Sequence, residues 1–467
     1  MGKIEREIRP GEARSPAMTY QHLLERDGER PPGTLADESY RFLGDEDIPF
    51  ARYTDRAFYD LEMERMWTRT WQWVCREEHI ADVGDYYVYD IGKHSIVVVR
   101  TKEGIKGYPN SCLHRGTKLK PSHSEGWCEQ LRCPFHGWTW TLEGELAQVP
   151  SRWDLPHVVD EAFRLPEVRI ATWGGFVFMN MDPKAPDLLD YLDVLPDHAE
   201  RSRLEDREVA LHLQKELDCN WKVASEAFLE AYHVRETHPQ LLIANGGEVG
   251  QYDVYGPHLN RVISPNGITS PDLPRSVTEQ ERAEAMLSGN SGPGEPVHVP
   301  EGMTARQVMA DIYRKGLSAE DAAATTAGEL LDTNGYLVFP ASHFFLGLVL
   351  PIAYRIRPLD DRVDRALFEV IVLRKVKPGE AKAPPPEPVR LKVEDSYAEV
   401  PGMSPSFAQV MDQDTSIMAW QQEGFSASRK GEATLSNYQE VRIRHAHMTL
   451  DRYLAAQPGE PVDFSGL

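Results

Sequence analysis

Glu226, Glu230, His233 and His238 crowd into one stretch of the chain, Asn220 to Pro239, NWKVASEAFLEAYHVRETHP. On a helix expected over about 221 to 236, Glu226, Glu230 and His233 fall at i, i+4 and i+7 and share a face. His238 comes five residues after His233, about 140° further round at roughly 100° per residue. Pro239 disfavours the α conformation for the residue before it, so a helix fraying at His238 swings the second imidazole back beside the first. Two imidazoles with carboxylates nearby suit iron or zinc. A solvated helix face carrying two incidental histidines is the competing reading.

A second set of ligand types lies upstream. Cys112-Leu113-His114-Arg115-Gly116 and Cys133-Pro134-Phe135-His136-Gly137-Trp138 each offer one thiolate and one imidazole, with eighteen residues between His114 and Cys133. A zinc finger pairs cysteine with cysteine and histidine with histidine, so this C-x-H and C-x-x-H pattern departs from it. A two-iron cluster with thiolates on one iron and imidazoles on the other fits better, structural zinc being the alternative. Gly116 and Gly137 let the backbone turn closely around such a centre. Cys128 and His123, between the two loops, are expected to be a buried or loop thiol and a surface imidazole.

The chain that positions these groups has 467 residues, enough for two or three domains. Its net charge of −22 disfavours nonspecific contact with nucleic acid or anionic membranes. The longest apolar run, Phe344 to Ala353, is too short to span a bilayer, and the charged N-terminus lacks the apolar core of a secretory signal. A cytoplasmic location is expected. Five cysteines, an odd number, with no signal sequence argue for metal binding over disulfides.

Residues 1–69 read as an arm with a short helix at Tyr20 to Arg26 and an amphipathic helix at Thr54 to Trp71. Residues 70–182 read as a small all-β module. Its strands begin with Asp85 to Arg100, turning at Ile91-Gly92-Lys93, and end with Trp173 to Asp182. Residues 183–467 read as α+β with antiparallel strands and helices on one face. Helices are expected at Pro186 to Arg203, Thr304 to Lys315, Ala319 to Leu331, Ser404 to Phe425 and Asn437 to Ala456. Strands are expected at Val209 to Cys219, Tyr336 to Pro340, His343 to Arg357 and Ala366 to Val376. The tracts 287–300 and 377–388, rich in Pro and Gly, are expected to be loops.

With these motifs, nearly the whole chain resembles the large (alpha) subunit of a Rieske non-heme iron aromatic ring-hydroxylating oxygenase. The resemblance implies a Rieske [2Fe-2S] module inserted before a helix-grip catalytic domain. Cys112 and Cys133 would bind one cluster iron, and His114 and His136 the other. His233 and His238 would bind a mononuclear Fe(II) with a carboxylate from MDQDTSIMAWQQEG; counting back eight residues from Gln422, the family spacing selects Asp414 over Asp412, which is left as a helix-start carboxylate. Glu230 would bridge electrons between subunits, touching His233 and a neighbour's His136, which implies a homotrimer or its multiples. The family commonly has Asp where this chain has Glu230, and often Asn where it has Ala227. Glu226 is expected to be structural.

The implied activity is hydroxylation of an apolar aromatic or polycyclic compound by O2, by cis-dihydroxylation, with monooxygenation (demethylation or single hydroxylation) as the alternative. A Rieske electron carrier without the second iron is the reading from another class. No glycine fingerprint for a dinucleotide follows any strand, so NAD(P)H would act only through a separate ferredoxin or reductase. Trp138, Arg115 and Lys118 are candidates for that docking surface, and a β subunit is a possible further partner. Phe228, Leu229, Leu241, Leu242 and the run Phe344 to Leu350 are candidates for the substrate pocket.

Overall fold

The computed structural model describes residues 9–290, 297–348, 351–377 and 379–467. Residues 291–296 and 378 of the two expected loops, and 349–350 of an expected strand, fall outside them.

The β module contains a four-stranded antiparallel sheet, ordered Gly104–Pro109, His94–Thr101, Asp85–Ile91 and Glu125–Trp127. A small three-stranded sheet, Leu131–Arg132, Thr139–Trp140 and Leu146–Gln148, lies beside it. A third sheet pairs Phe176–Asn180 with both Arg169–Trp173 and Gln72–Arg76.

The rest of the chain is built on one eight-stranded sheet. Its order is Gln251–Val254, Leu259–Ser264, Thr333–Val338, Ser342–Phe345, Ile352–Pro358, Ala366–Lys375, Arg207–Leu217 and Val389–Leu391. Every pairing is antiparallel except the last, where Val389–Leu391 joins the edge in parallel. Ala366–Lys375 is buried from Ala366 to Leu373 because both faces of the sheet are covered, and Glu369 is the charged residue in that stretch. Phe368, Val370 and Val372 join the core formed with helices Trp221–Glu226, Pro405–Ala427 and Val441–Ala455. Ile371 and Leu373 face the other way, toward Trp71, Trp73, Phe176 and Phe178 of the β module. Alternation along a strand therefore sorts the side chains into two cores.

Several expected elements are shorter than the sequence pattern implied. The expected strand His343 to Arg357 is two antiparallel strands, Ser342–Phe345 and Ile352–Pro358, with Phe344 opposite Ala353, because Gly347 and Pro351 interrupt the run. Pro186 to Arg203 breaks into Leu188–Leu192 and Leu195–Ala199 around Asp193 at φ 51. Ala319 to Leu331 breaks where Thr326 starts a new helix, its hydroxyl accepting from the N–H of Glu329. Thr54 to Trp71 is α-helical over Arg56–Leu61 and then widens to a π-helical turn, Glu62–Met66. The long helix Pro405–Ala427 has its N-terminus fixed by Ser404, whose side chain accepts from Phe407 N–H, with proline in its first turn.

Candidate metal centres

The two Cys/His loops fold toward each other at the tip of the β module. Gly116, at φ 79, donates its N–H to the carbonyl of Cys112 at 2.9 Å, and Gly137, at φ 74, donates to Cys133 at 3.1 Å. Both turns need the left-handed conformation that glycine adopts without strain. The two thiols are buried and hydrogen-bonded to each other. Burial pushes the Cys112 thiol up, while the N–H groups of His114 and Arg115 pull the other way by stabilising negative charge on its sulfur. The imidazoles of His114 and His136 face each other with ring centroids 4.8 Å apart. Two thiols and two imidazoles from paired turns, with amides aimed at sulfur, are a donor set that fits a two-iron cluster.

Phe135 beside His136 is 59% exposed and sits under the Arg115 guanidinium at 5.6 Å. Arg115 and Lys118 are exposed. Trp138 is 2% exposed and stacks on His114 with an interplanar angle of 1°, so it supports the tip from inside and presents no docking surface. Cys128 is buried in the module core, and His123 lies at the surface 3.4 Å from Asp90.

In the catalytic segment the helix runs only over Trp221–Glu226, so Glu226, Glu230 and His233 do not line one helical face. A turn carries Glu230, and a second short helix, Val234–Thr237, separates the two histidines. It ends at His238, whose φ of −124° and ψ of 55° leave the helical region just before Pro239. The two rings come within 5.3 Å, and Asp414 from the helix Pro405–Ala427 meets both. Its Oδ1 is 2.8 Å from His238 Nε2 and 3.5 Å from His233 Nε2. Ligand atoms of His233, His238 and Asp414 all lie within 4.8 Å of one another, the one such group among the described residues.

The far nitrogens are held too. His233 Nδ1 is 2.8 Å from Glu230 Oε1, and His238 Nδ1 is 2.9 Å from Gln413 Oε1. Acceptors at both Nδ1 atoms fix the tautomer that leaves Nε2 free for a cation. Burial disfavours the imidazolium of His233, but hydrogen bonds to Asp414 and Glu230 outweigh it and move the group up to about 10. Burial likewise raises Asp414, and His233 and His238 outweigh it and hold the carboxyl low. Two imidazoles with one carboxylate are the donor set of a facial iron site.

Asp412 does not start a helix. It lies within Pro405–Ala427 and accepts from Ser396 Oγ at 2.6 Å and Tyr397 N–H at 3.0 Å, which ties down a neighbouring turn. Glu226 bonds Tyr53 at 3.0 Å and His447 at 2.9 Å. Gln413, Tyr53 and His447 carried no motif; Gln413 was detectable only as the neighbour of Asp414. Beside the triad lies a cleft of about 620 Å³ lined by Glu226, Glu230, Glu440, Phe50, Tyr53 and Phe425.

Of the pocket candidates, Phe228 stacks near Tyr354 and Phe368, and Leu242 joins Ala231 and Val234 next to the histidines. Leu229 is core beside Leu337 and Ile443. Phe344 is on the opposite face of the sheet, 5.1 Å from Phe176, and so faces away from the triad.

No helix among the described residues is long and apolar enough to cross a membrane. A Rieske [2Fe-2S] domain model matches residues 70–158, and a model described as ring hydroxylating alpha subunit (catalytic domain) matches residues 197–456. The chlorobenzene dioxygenase alpha subunit of Cupriavidus sp. (strain PS12) is 30% identical over 311 residues, covering 63% of this chain and 64% of that protein. The carnitine monooxygenase oxygenase subunit of Escherichia coli (strain K12) is 31% identical over 195 residues, 41% of this chain and 52% of that protein. The matched region therefore spans between about half and two thirds of these relatives. Similar folds occur in a naphthalene 1,2-dioxygenase variant bound to phenanthrene (TM-score 0.61, 18% identity, 89% and 94% of the two chains). A quaternary ammonium Rieske monooxygenase matches equally well (TM-score 0.61, 17% identity, 87% and 95%). With its catalytic half matched almost end to end and a Rieske domain ahead of it, the chain belongs to the family of Rieske non-heme iron oxygenase alpha subunits.

Proposed function

We propose that this chain is the oxygenase component of a multicomponent system, taking electrons from a separate ferredoxin or reductase and hydroxylating an apolar aromatic compound. The observation that carries the reading is the triad of the half-buried His233 with the buried His238 and Asp414, with Glu230 on the far nitrogen of His233 and facing a cleft. When bound, the cluster supplies electrons one at a time, at a potential raised by its histidines to roughly −150 to +300 mV, and the mononuclear iron activates O2.

The chain's own residues divide the work. Cys112 and Cys133 hold one cluster iron, His114 and His136 the other. His233, His238 and Asp414 hold the mononuclear iron, and Gln413 and Glu230 orient the two imidazoles. Glu230 bridges to His136 of a neighbouring copy in a homotrimer or a multiple of one, with or without a β subunit. The exposed Phe135 and His136 at the module tip, and Tyr232 and Trp420 (47% and 67% exposed), supply faces for that contact. The domains are taken as 1–69, 70–182 and 183–467.

cis-Dihydroxylation is the first reading of the chemistry, supported by the chlorobenzene dioxygenase relative. A second reading, monooxygenation of an alkylammonium compound, is favoured by the cleft itself. Its wall carries Glu226, Glu230 and Glu440 with the rings of Phe50, Tyr53 and Phe425, a lining that suits a cation. Lys430, also on the wall, is neutralised by Asp47 at 2.7 Å. Screening both compound classes for substrate-triggered oxidation of the reduced cluster, followed by labelled O2, tests the assignment. Aromatic triggers and two labelled atoms in one product support dihydroxylation. Triggering by trimethylammonium compounds, with one labelled atom retained, replaces it by the second reading. Protein that binds only the cluster irons is an electron carrier.

A further inference from the structure

Arg442 brings a guanidinium into the core with no carboxylate against it among the described residues. Its exposure is 0%. Other fully buried arginines are paired: Arg261 with Asp253, Arg306 with Asp332, and Arg355 with Glu369. Arg442 Nε instead donates to Asn260 Oδ1 at 2.7 Å. Its Nη1 donates to the carbonyls of Leu229 at 2.9 Å and Phe228 at 3.4 Å, and its Nη2 finds no partner among the described residues. Burial pushes this guanidinium down to about 9, against the pull of Tyr252 and Asp253. A buried charge without a counterion is costly, and a hydrocarbon side chain of similar size would avoid the penalty.

What the charge accomplishes is local. Phe228 and Leu229 form the turn just beyond Trp221–Glu226: their N–H groups close on the carbonyls of Ser225 and Glu226, and their own carbonyls, past the end of the helix, accept from Arg442. A cation there also complements the negative end of the helix. The next residue is Glu230, which accepts from both His233 Nδ1 and His233 N–H, at 2.8 and 2.9 Å. One residue further, Ala231 N–H donates to Tyr252 Oη at 3.1 Å. Residues 228–231 are thus pinned at both ends by side chains from two other elements, the helix Val441–Ala455 and the strand Gln251–Val254.

We propose that Arg442, together with Tyr252, is a positioning residue that fixes the turn 228–231 and thereby aims the Glu230 carboxylate at His233. The inference rests on the electron-bridging role of Glu230 proposed above. It makes the C-terminal helix part of the electron route without any contact to either metal centre.

The test uses the full-length protein with Arg442→Lys and Tyr252→Phe, and Glu230→Gln as reference. Amide hydrogen exchange over residues 227–234 is read in metal-free protein. The rate of substrate-triggered cluster oxidation is read in iron-loaded protein, with the cluster potential and iron content measured alongside. Both variants are expected to exchange faster within 227–234 only, and to oxidise the cluster roughly tenfold or more slowly at unchanged potential and iron content. Wild-type exchange in 227–234 overturns the proposal. So does faster exchange spread through Val441–Ala455 and the sheet with cluster oxidation intact, since that marks a purely structural arginine. Should Arg442→Lys fail to fold, Tyr252→Phe, which loses only a hydroxyl, decides on the same readouts. If Glu230→Gln oxidises the cluster at the wild-type rate, the bridging role fails, while the exchange signature still reports whether Arg442 and Tyr252 hold the turn.

Discussion

His238 Nε2 and Asp414 Oδ1 lie 2.8 Å apart although 176 positions separate them in the chain. The triad therefore exists only when both ends of the catalytic half have folded together. Asp414→Ala is expected to lose the mononuclear iron and keep the cluster, so iron falls from about three to about two per chain with the cluster's visible spectrum intact. Asp412→Ala is expected to keep all the iron, because Asp412 serves the Ser396–Tyr397 turn. Iron analysis of the two variants side by side checks the assignment, and full iron in Asp414→Ala would refute it.

Glu230 accepts from the backbone and the imidazole of His233 at once. Glu230→Gln keeps the shape and turns one of the two acceptors into a donor. Both metal centres are expected to stay loaded while single-turnover oxidation of the cluster slows roughly 100-fold, the upper range for an outer partner of a ligating histidine. Stopped-flow absorbance of the reduced cluster reads this directly.

The ligand types were legible in the sequence because cysteine, histidine and glycine at short fixed spacings leave few alternatives. The bend at His238 was legible from Pro239. The continuous helix through His233 was not real. Its i, i+4, i+7 pattern was present, but the turn at 228–231 is imposed by Arg442 and Tyr252, from distant parts of the chain. Trp138 was misread as surface because a motif reveals proximity to a cluster and not which side of it a ring occupies. Phe344 was misread as pocket because strand alternation assigns faces only once the register is known.

Glu369 joins the β module to the catalytic sheet. Its carboxylate takes Arg355 and His212, and Arg355 also donates to the carbonyls of Trp73 and Val74. Burial alone would raise Glu369, but the charge of Arg355 and the hydrogen bond from His212 hold it well below the carboxylate range. A depressed acid contributes stability that is present above its unfolded value, near 4.5, and is lost as pH falls through its folded value. Thermal melts are expected to fall steeply below about pH 4.5, and Glu369→Gln to flatten that dependence. At neutral pH the variant should lose about 3–5 kcal/mol, because Arg355 is left buried and unpaired. An unchanged acid slope in Glu369→Gln would place the acid-sensitive group elsewhere.

Lys222, in the helix that leads to the catalytic turn, meets Glu62 at 2.5 Å, and Trp221 Nε1 donates to the same carboxylate at 3.1 Å. Both charged groups are buried. Burial raises Glu62 and lowers Lys222, and their mutual attraction only partly offsets it. Such a pair adds little net stability over a well-packed apolar pair, yet losing one member is expensive. Lys222→Met is therefore expected to cost about 3–5 kcal/mol at pH 8, and the double variant Lys222→Met/Glu62→Met to recover most of it. The sign with pH follows from Glu62. Without its partner the carboxyl is raised further in the folded state, so protonation favours folding and the deficit of the single variant shrinks as pH is lowered toward 5. Urea midpoints for the single and double variants at the two pH values test both statements. A deficit in Lys222→Met that persists undiminished at pH 5 would mean that lost packing, and not the stranded carboxylate, sets its cost.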